Sequence, residues 1–191
     1  MNHLTDRLPP LPPESWSQEQ RTRAQEIING PRGALIPPFV PMLRSPELMT
    51  HAGRMGEYLR YRSALGLRLS ELTILITARK WSQQVEWAIH APIALREGVA
   101  QETLDALSDG RFPSGLPEDE AVVYAFSMEL HNNQSVSDPT WQAAIRLFGE
   151  QGVVDLVGIA GYYTFLSMMM NAARTAVPLS TAKPLPAIPN I

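Results

Sequence analysis

The sequence contains no cysteine among its 191 residues. Disulfide bonds, thiolate metal sites and thiol-based peroxidase chemistry are therefore excluded. It also lacks any uninterrupted apolar run of the roughly 18 residues that suggest a transmembrane helix. The formal net charge is only −3, and no basic stripe with interleaved aromatic residues is present. The sequence therefore predicts a protein that binds neither nucleic acid nor a membrane.

The two ends of the chain differ from its middle in their proline content. The N-terminal stretch has neither the basic start nor the apolar segment of a signal peptide, which favours a cytoplasmic location. We expect residues 1–14 to form an extended Pro-rich arm and residues 179–191 a Pro-rich tail. Residues 15–178 contain no linker and no repeat, so we predict one domain there.

The middle of the chain shows helical spacing of apolar residues and no strict alternation between turns. We therefore predict an all-α, single-domain helical bundle with about seven or eight helices. The 45% hydrophobic content is sufficient for one buried core. The predicted helices run from Ser15 or Ser17 to Asn29, from Ser45 to about Leu65, from Ser70 to about Lys80, from Ser82 to Glu97, from Gln101 to Ser108, from Pro117 to about Asn133, from Ser137 to about Gly149, and from Val153 to about Ala173.

Three local expectations accompany these helices. Ser70 is predicted to be an N-cap, with Glu71 in the first helical turn. The inner face of the helix that begins at Ser45 is predicted from the positions of Leu48, His51, Met55 and Leu59. The proline-rich segment 33–46 is predicted to be a loop that covers another part of the molecule.

The stretch from Ser70 to Gly98 combines apolar periodicity with three ionisable residues, Glu71, Glu86 and His90. Glu86 and His90 are four residues apart, so they lie on one helix face, where a carboxylate can orient the imidazole and raise its pKa. Each residue also has a structural interpretation. Glu71 would complement the helix dipole, Glu86 would pair with a basic residue, and His90 would be a hydrogen-bonded core residue.

The spacing of these residues resembles the carboxymuconolactone decarboxylase and alkylhydroperoxidase D-like superfamily. Its redox branch has a Glu, cysteines twelve and fifteen residues later, and a His at nineteen. Counted from Glu71, these positions are Gln83, Glu86 and His90, so the Glu and His match and neither cysteine does. The decarboxylase branch lacks the thiol pair and has a Glu four residues before its His. The sequence EWAIHAPIA, followed by EGV, is similar to that of these cysteine-free members. General similarity extends from about Leu43 to Pro178.

This resemblance implies a decarboxylase, a lyase of small carboxylated, lactone-type compounds that needs no cofactor. Loss of carbon dioxide would leave a dienolate, to which His90 would donate a proton at the correct carbon, while Glu86 or Glu71 orients the imidazole or transfers the proton. An Arg would bind a substrate carboxylate. Arg79 is the candidate we assign, although other basic residues flank the same stretch: Arg54, Arg60, Arg62, Arg68, Lys80 and Arg96.

Two further substrate-binding candidates are Gln83, whose amide occupies the position of the first thiol, and Trp87, which would form an apolar pocket wall. The resemblance also implies a homo-oligomer, a trimer or hexamer. Two alternatives stay open. One is a cysteine-free relative of the peroxidases with metal-assisted or other chemistry, in which Glu71, Glu86 and His90 bind a divalent metal. The other is a non-catalytic binding protein on the same scaffold.

Overall fold

The computed structural model describes residues 6–180 and 182–187, and within these ranges all regular structure is helical. A single 3₁₀ turn at Pro13–Ser15 precedes eight α-helices. The prediction of an all-α fold with seven or eight helices is confirmed. The helices are α1 Gln18–Asn29, α2 Phe39–Met42, α3 Pro46–Tyr61, α4 Gly66–Lys80, α5 Gln84–Arg96, α6 Gln101–Ser108, α7 Glu118–Asn133 and α8 Asp138–Ala173.

Helix α4 is the centre of the bundle, and it packs against α3, α5, α7 and α8. Every residue from Leu69 to Arg79 is buried. A helix that is buried on all sides has no solvated face, which is why its apolar residues do not form a simple stripe. Its polar residues must therefore find partners inside the protein.

The predicted start of α4 is wrong. The helix begins at Gly66, which has a positive φ of 74°. Ser70 lies in the second turn, and its hydroxyl donates a hydrogen bond to the carbonyl of Gly66 at 2.8 Å instead of capping the helix. Glu71 consequently lies beyond the first turn and is 0% exposed. The proposed role of Glu71 as a complement to the helix dipole does not apply.

The predicted inner face of α3 is also wrong, apart from Leu59. Leu48 and Met55 are 41% and 47% exposed, and His51 is exposed. The face that packs inward has three small residues, Ala52, Gly53 and Gly56, between the larger side chains of Met49 and Leu59. A periodicity argument based on large apolar side chains misses such a face, because the small residues allow close approach of neighbouring helices rather than filling space themselves.

The segment between α1 and α3 packs against α3 and α8. Phe39, Met42 and Leu43 are each 1% exposed, in agreement with the prediction that this proline-rich segment covers another part of the molecule. The structure adds the single-turn helix α2. It tolerates Pro41 because the first turn of a helix needs no intrahelical amide donor.

Helix α8 is interrupted at Gly149, where φ is 66° and ψ is 176°. The two predicted helices before and after this glycine therefore occur as two segments of one long element. The element is long and apolar enough to cross a membrane: an 18-residue window has a mean hydropathy of 1.5, and 56% of that window is buried within the bundle. Its contacts with α3, α4 and α7 are those of a core helix in a bundle.

Residues at both ends of the described chain pack on the bundle. The amide of Arg7 donates to the carbonyl of Ala173 at 2.7 Å, and the Arg44 guanidinium donates to the carbonyl of Pro9 at 2.8 Å. Near the other end, Leu185 is 4% exposed and belongs to the hydrophobic core.

Candidate active site

The three ionisable residues of the central stretch converge on one point between α4 and α5. His90 Nδ1 lies 2.6 Å from Glu71 Oε2, and His90 Nε2 lies 3.2 Å from Glu86 Oε2. The two helices form an antiparallel hairpin whose turn includes Ser82, with a positive φ of 47°. This hairpin brings Glu71 of α4 opposite His90 of α5, while the four-residue spacing places Glu86 one turn before the imidazole.

This cluster is enclosed by protein. Glu71, Glu86 and His90 are 0%, 1% and 3% exposed. Burial by itself lowers the pKa of His90, but the charges and hydrogen bonds of Glu71 and Glu86 more than compensate, and they raise the pKa to about 9. At neutral pH, His90 is therefore an imidazolium whose Nδ1–H donates to Glu71, while its Nε2 lies within ion-pair distance of Glu86.

A narrow cavity of about 20 Å³ opens next to this cluster, which is room for a single water molecule. Glu86 and His90 line it from α5, and Arg60 lines it from α3. The segment before α3 forms its lid through Arg32, Ile36, Pro38 and Phe39. The Arg60 Nε lies 3.9 Å from Glu71 Oε1, which is too long for a hydrogen bond.

Two adjacent tyrosines of α8 complete the wall of the cavity. The Tyr163 ring meets the His90 ring edge-on, with 5.2 Å between the centroids, and Tyr162 packs edge-on against Tyr163. A Cβ at Gly56 would lie 2.3 Å from the Tyr162 hydroxyl, so only glycine at this position leaves room for the phenol. Burial raises the pKa of Tyr163 well above its usual value, so this phenol stays neutral.

Three polar atoms in and beside the cluster are buried without a hydrogen-bond partner: Glu71 Oε1, Glu86 Oε1 and Arg60 Nε. Such atoms are uncommon in folded proteins, because an unpaired buried polar group costs roughly 1–3 kcal/mol. Glu86 and Arg60 also line the cavity. The site therefore has an acceptor and a donor available for a bound molecule.

The residues predicted to bind substrate lie elsewhere. Gln83 caps α5 by accepting the amide of Val85 at 2.6 Å, and its NH₂ donates to Asn171 at 2.8 Å. Trp87 and Arg79 each donate to a backbone carbonyl of the C-terminal segment. None of the three lines the cavity beside His90. The structure thus brings together the three predicted catalytic residues and separates them from the three predicted substrate-binding residues.

The structure also identifies residues that the sequence argument missed. Arg60 is one of several basic residues that flank the central stretch, and no sequence signal singles it out. Arg32, Tyr162 and Tyr163 likewise have no motif context in the sequence. No short motif links these positions to His90, because they come from three other parts of the chain. The one available signal was the proline-rich segment predicted to cover another part of the molecule, which contributes three residues of the cavity lid.

Within residues 6–180 and 182–187, no group of three or more His, Cys, Asp or Glu side chains has the arrangement of a metal site. Both imidazole nitrogens of His90 already face carboxylates, so neither has a lone pair directed at a shared cation.

Comparison with solved structures identifies the fold. The chain superposes on the debrominase Bmp8 with a TM-score of 0.67 and 15% identity, over 90% of this chain and 91% of the debrominase. A cysteine-to-alanine variant of Bmp8 in complex with 2,3,4-tribromopyrrole gives a TM-score of 0.68 and 14% identity, over 92% and 93% of the two chains. Bmp8 has the alkylhydroperoxidase D and carboxymuconolactone decarboxylase-like fold. This chain has the same fold.

The alkylhydroperoxidase D-like fold confirms the predicted architecture, and at this level of identity it establishes the fold alone. No protein-family model and no curated protein sequence matches the chain.

The raised pKa of His90 predicts that the fold loses stability in alkaline solution. The folded-state pKa of about 9 lies above the ordinary value of 6.5, so the stabilisation is complete below pH 6.5 and is lost as the pH rises through 9. We expect the free energy of unfolding to fall by roughly 3 kcal/mol across this range. Urea denaturation at a series of pH values measures it. The His90→Gln variant should lack this component, and identical pH profiles for the two proteins would contradict the prediction.

Proposed function

We propose that this protein is an enzyme of the alkylhydroperoxidase D-like scaffold that decarboxylates a small, unsaturated, lactone-type carboxylic acid without an organic cofactor. The observation that carries the proposal is the buried imidazole of His90, held between Glu71 and Glu86 beside a cavity. A protonated, oriented imidazole next to a substrate cavity has the properties of a general acid.

The charges around the cavity favour an anionic substrate. Three groups are cationic, namely Arg32, Arg60 and His90, whereas Glu71 and Glu86 are the anionic groups of the cluster. These five side chains therefore have a net charge of one positive unit, and a single substrate carboxylate would neutralise it. The unpartnered Nε of Arg60 is a donor suited to that carboxylate.

In the proposed reaction, the bond between the substrate carboxylate carbon and its neighbouring carbon breaks. Carbon dioxide leaves, and the electron pair of the bond moves into the unsaturated lactone to form a dienolate. His90 then transfers the Nε2 proton to a carbon of the dienolate, and the neutral imidazole regains a proton from solvent. No electron acceptor is needed, because the product contains both the electron pair and the proton.

The two carboxylates have different parts in this scheme. Glu71 is fully buried and lies outside the cavity lining, so it positions His90 and stabilises its charge. Glu86 lines the cavity and lies 3.2 Å from Nε2, so its charge stabilises the protonated imidazole before transfer. Debromination that depends on a thiol is not part of the proposal, since the chain has no cysteine.

A substrate of this class needs more space than the observed 20 Å³. The proposal therefore requires the segment that contains Arg32 and Phe39 to move outward for binding and to close afterwards. Closure would bring the Arg32 guanidinium onto the bound anion and exclude water, which strengthens every charge interaction in the site.

The proposal also retains a homo-oligomer in the cytoplasm. An exposed apolar stripe on α8 supports assembly: Val154, Val157 and Met168 are 67%, 42% and 50% exposed and follow helical spacing along one side. Whether the assembly is a trimer or a hexamer is measurable by sedimentation.

The direct test is release of carbon dioxide from a panel of unsaturated carboxylic acids, including carboxylated muconolactones, with the loss of ultraviolet absorbance as a second readout. We expect Arg60→Gln to raise KM about 10- to 100-fold through the lost charged hydrogen bond. Arg62→Gln is the matched control, because Arg62 is exposed and lies outside the cavity lining. No carbon dioxide from any acid of the panel, or equal KM values for the two variants, would contradict the proposal.

A further inference from the structure

The outer face of α5, opposite the side that bears Glu86 and His90, is covered by the C-terminal segment. We call residues 182–187, Ala-Lys-Pro-Leu-Pro-Ala, the strap. The strap is extended and contains no regular structure. It lies on the first turns of α5 and the end of α4 and forms one wall of a groove of about 770 Å³ between α5 and α6.

The protein contacts the strap mainly through its backbone. Gln84 pairs with Leu185 in both directions: its NH₂ donates to the Leu185 carbonyl at 2.9 Å, and its carbonyl accepts the Leu185 amide at 3.0 Å. The Trp87 indole donates to the Lys183 carbonyl at 3.1 Å, and the Arg79 guanidinium donates to the Pro186 carbonyl at 2.8 Å.

These contacts form a built site and do not result from a loose terminus. Arg79 and Trp87 are 6% and 3% exposed with the strap in place, and each directs a side-chain donor at a strap carbonyl. Leu185 is inserted into the core and is 4% exposed. Binding of an extended, proline-containing segment by side chains that donate hydrogen bonds to its backbone carbonyls is a known mode of peptide recognition.

The same turns of α5 carry the candidate active site on their other face. Gln84 and Trp87 flank Glu86 in the sequence, and the Ser180 hydroxyl donates to the Ala88 carbonyl one turn further along. The strap therefore contacts the first turn of α5, whose helical conformation brings Glu86 within reach of His90.

We propose that the outer face of α4 and α5 is a binding site for an extended, proline-containing segment centred on a leucine. The chain's own strap occupies this site and holds the first turn of α5 in the helical conformation that keeps Glu86 next to His90. In this assignment Gln84, Trp87 and Leu185 are positioning residues. Trp87 and Arg79 use their side-chain donors to bind the strap backbone and do not bind substrate. The proposal does not depend on the substrate or on turnover.

The test follows the pKa of His90 by NMR in the full-length protein. Glu71, Glu86, Arg60 and Tyr163 are the ionisable groups that face His90 from α4, α5, α3 and α8. Of these four groups, only Glu86 belongs to the first turn of α5, which the strap contacts through Gln84 and Trp87. We expect Leu185→Asp, which expels the strap, to lower the pKa of His90 by about one unit through the lost Glu86 interaction. Lys183→Ala is the control, because only the backbone carbonyl of Lys183 takes part.

A synthetic peptide of residues 182–187 added to the Leu185→Asp protein should restore the pKa of His90, whereas the same peptide with aspartate at the leucine position should not. If Leu185→Asp does not fold, Gln84→Ala replaces it, since this change removes two hydrogen bonds without placing a charge in the core. An unchanged pKa, or failure of the peptide to restore it, would overturn the proposal. A smaller assembly in Leu185→Asp would assign the strap to a second copy and overturn its placement within one chain.

Discussion

Replacement of His90 by glutamine is expected to lower kcat about 10²- to 10⁴-fold, the usual contribution of a general acid. Glutamine retains a polar side chain that can contact Glu71 or Glu86, but it has no proton that it can transfer. Because the substrate carboxylate is bound by arginine in this account, KM should change much less than kcat. Carbon dioxide release at saturating substrate measures the effect.

The matched control for this variant is His131→Gln. His131 contacts Thr77 at 3.1 Å on another side of α4, far along the chain from the site, and lies outside the cavity lining. We expect normal turnover from it. If His90→Gln retained wild-type kcat, proton donation by His90 would be excluded, whatever the substrate.

The second large effect is expected for Glu71→Ala, which should lower the free energy of unfolding by about 3–5 kcal/mol. The carboxylate of Glu71 is completely buried and lies between His90, at 2.6 Å, and Arg60, at 3.9 Å. Its removal leaves one or both cationic groups without a counter-charge in a low-dielectric interior. Chemical denaturation at pH 7 measures the change.

Glu150→Ala is the control for Glu71→Ala, because Glu150 is exposed and its replacement should change stability by less than about 0.5 kcal/mol. The double variant Glu71→Ala, His90→Ala adds a second test. If the two residues stabilise each other, the double variant should lose less stability than the sum of the single variants. Strict additivity would show that Glu71 and His90 are energetically independent, contrary to the geometry.

The sequence was sufficient for the fold class and for the three residues at the centre of the candidate site. Helical spacing, prolines and caps are local signals, and the four-residue spacing of Glu86 and His90 has only one consequence on a helix. The pairing of Glu71 with His90 needed a resemblance to a family, because it depends on how α4 packs against α5.

Two kinds of feature could not be predicted. The predicted inner face of α3 was wrong because the middle of its buried face consists of small residues, Ala52, Gly53 and Gly56. Their burial depends on close packing against neighbours such as Tyr162. The predicted set of residues around His90 was incomplete, because Arg32, Arg60 and Tyr163 reach the site only through tertiary packing. In the same way, Trp87 and Arg79 were assigned to substrate, whereas their donors reach a segment about one hundred residues away.

The most direct measurement is the pH titration of the His90 ring protons by NMR, with the signal assigned by its absence in His90→Gln. An imidazole held between Glu71 and Glu86 should titrate with a pKa of about 9 and remain protonated at neutral pH. A value at or below 6.5 would mean that His90 is neutral in the folded protein, and the account of a buried, charged proton donor would be wrong.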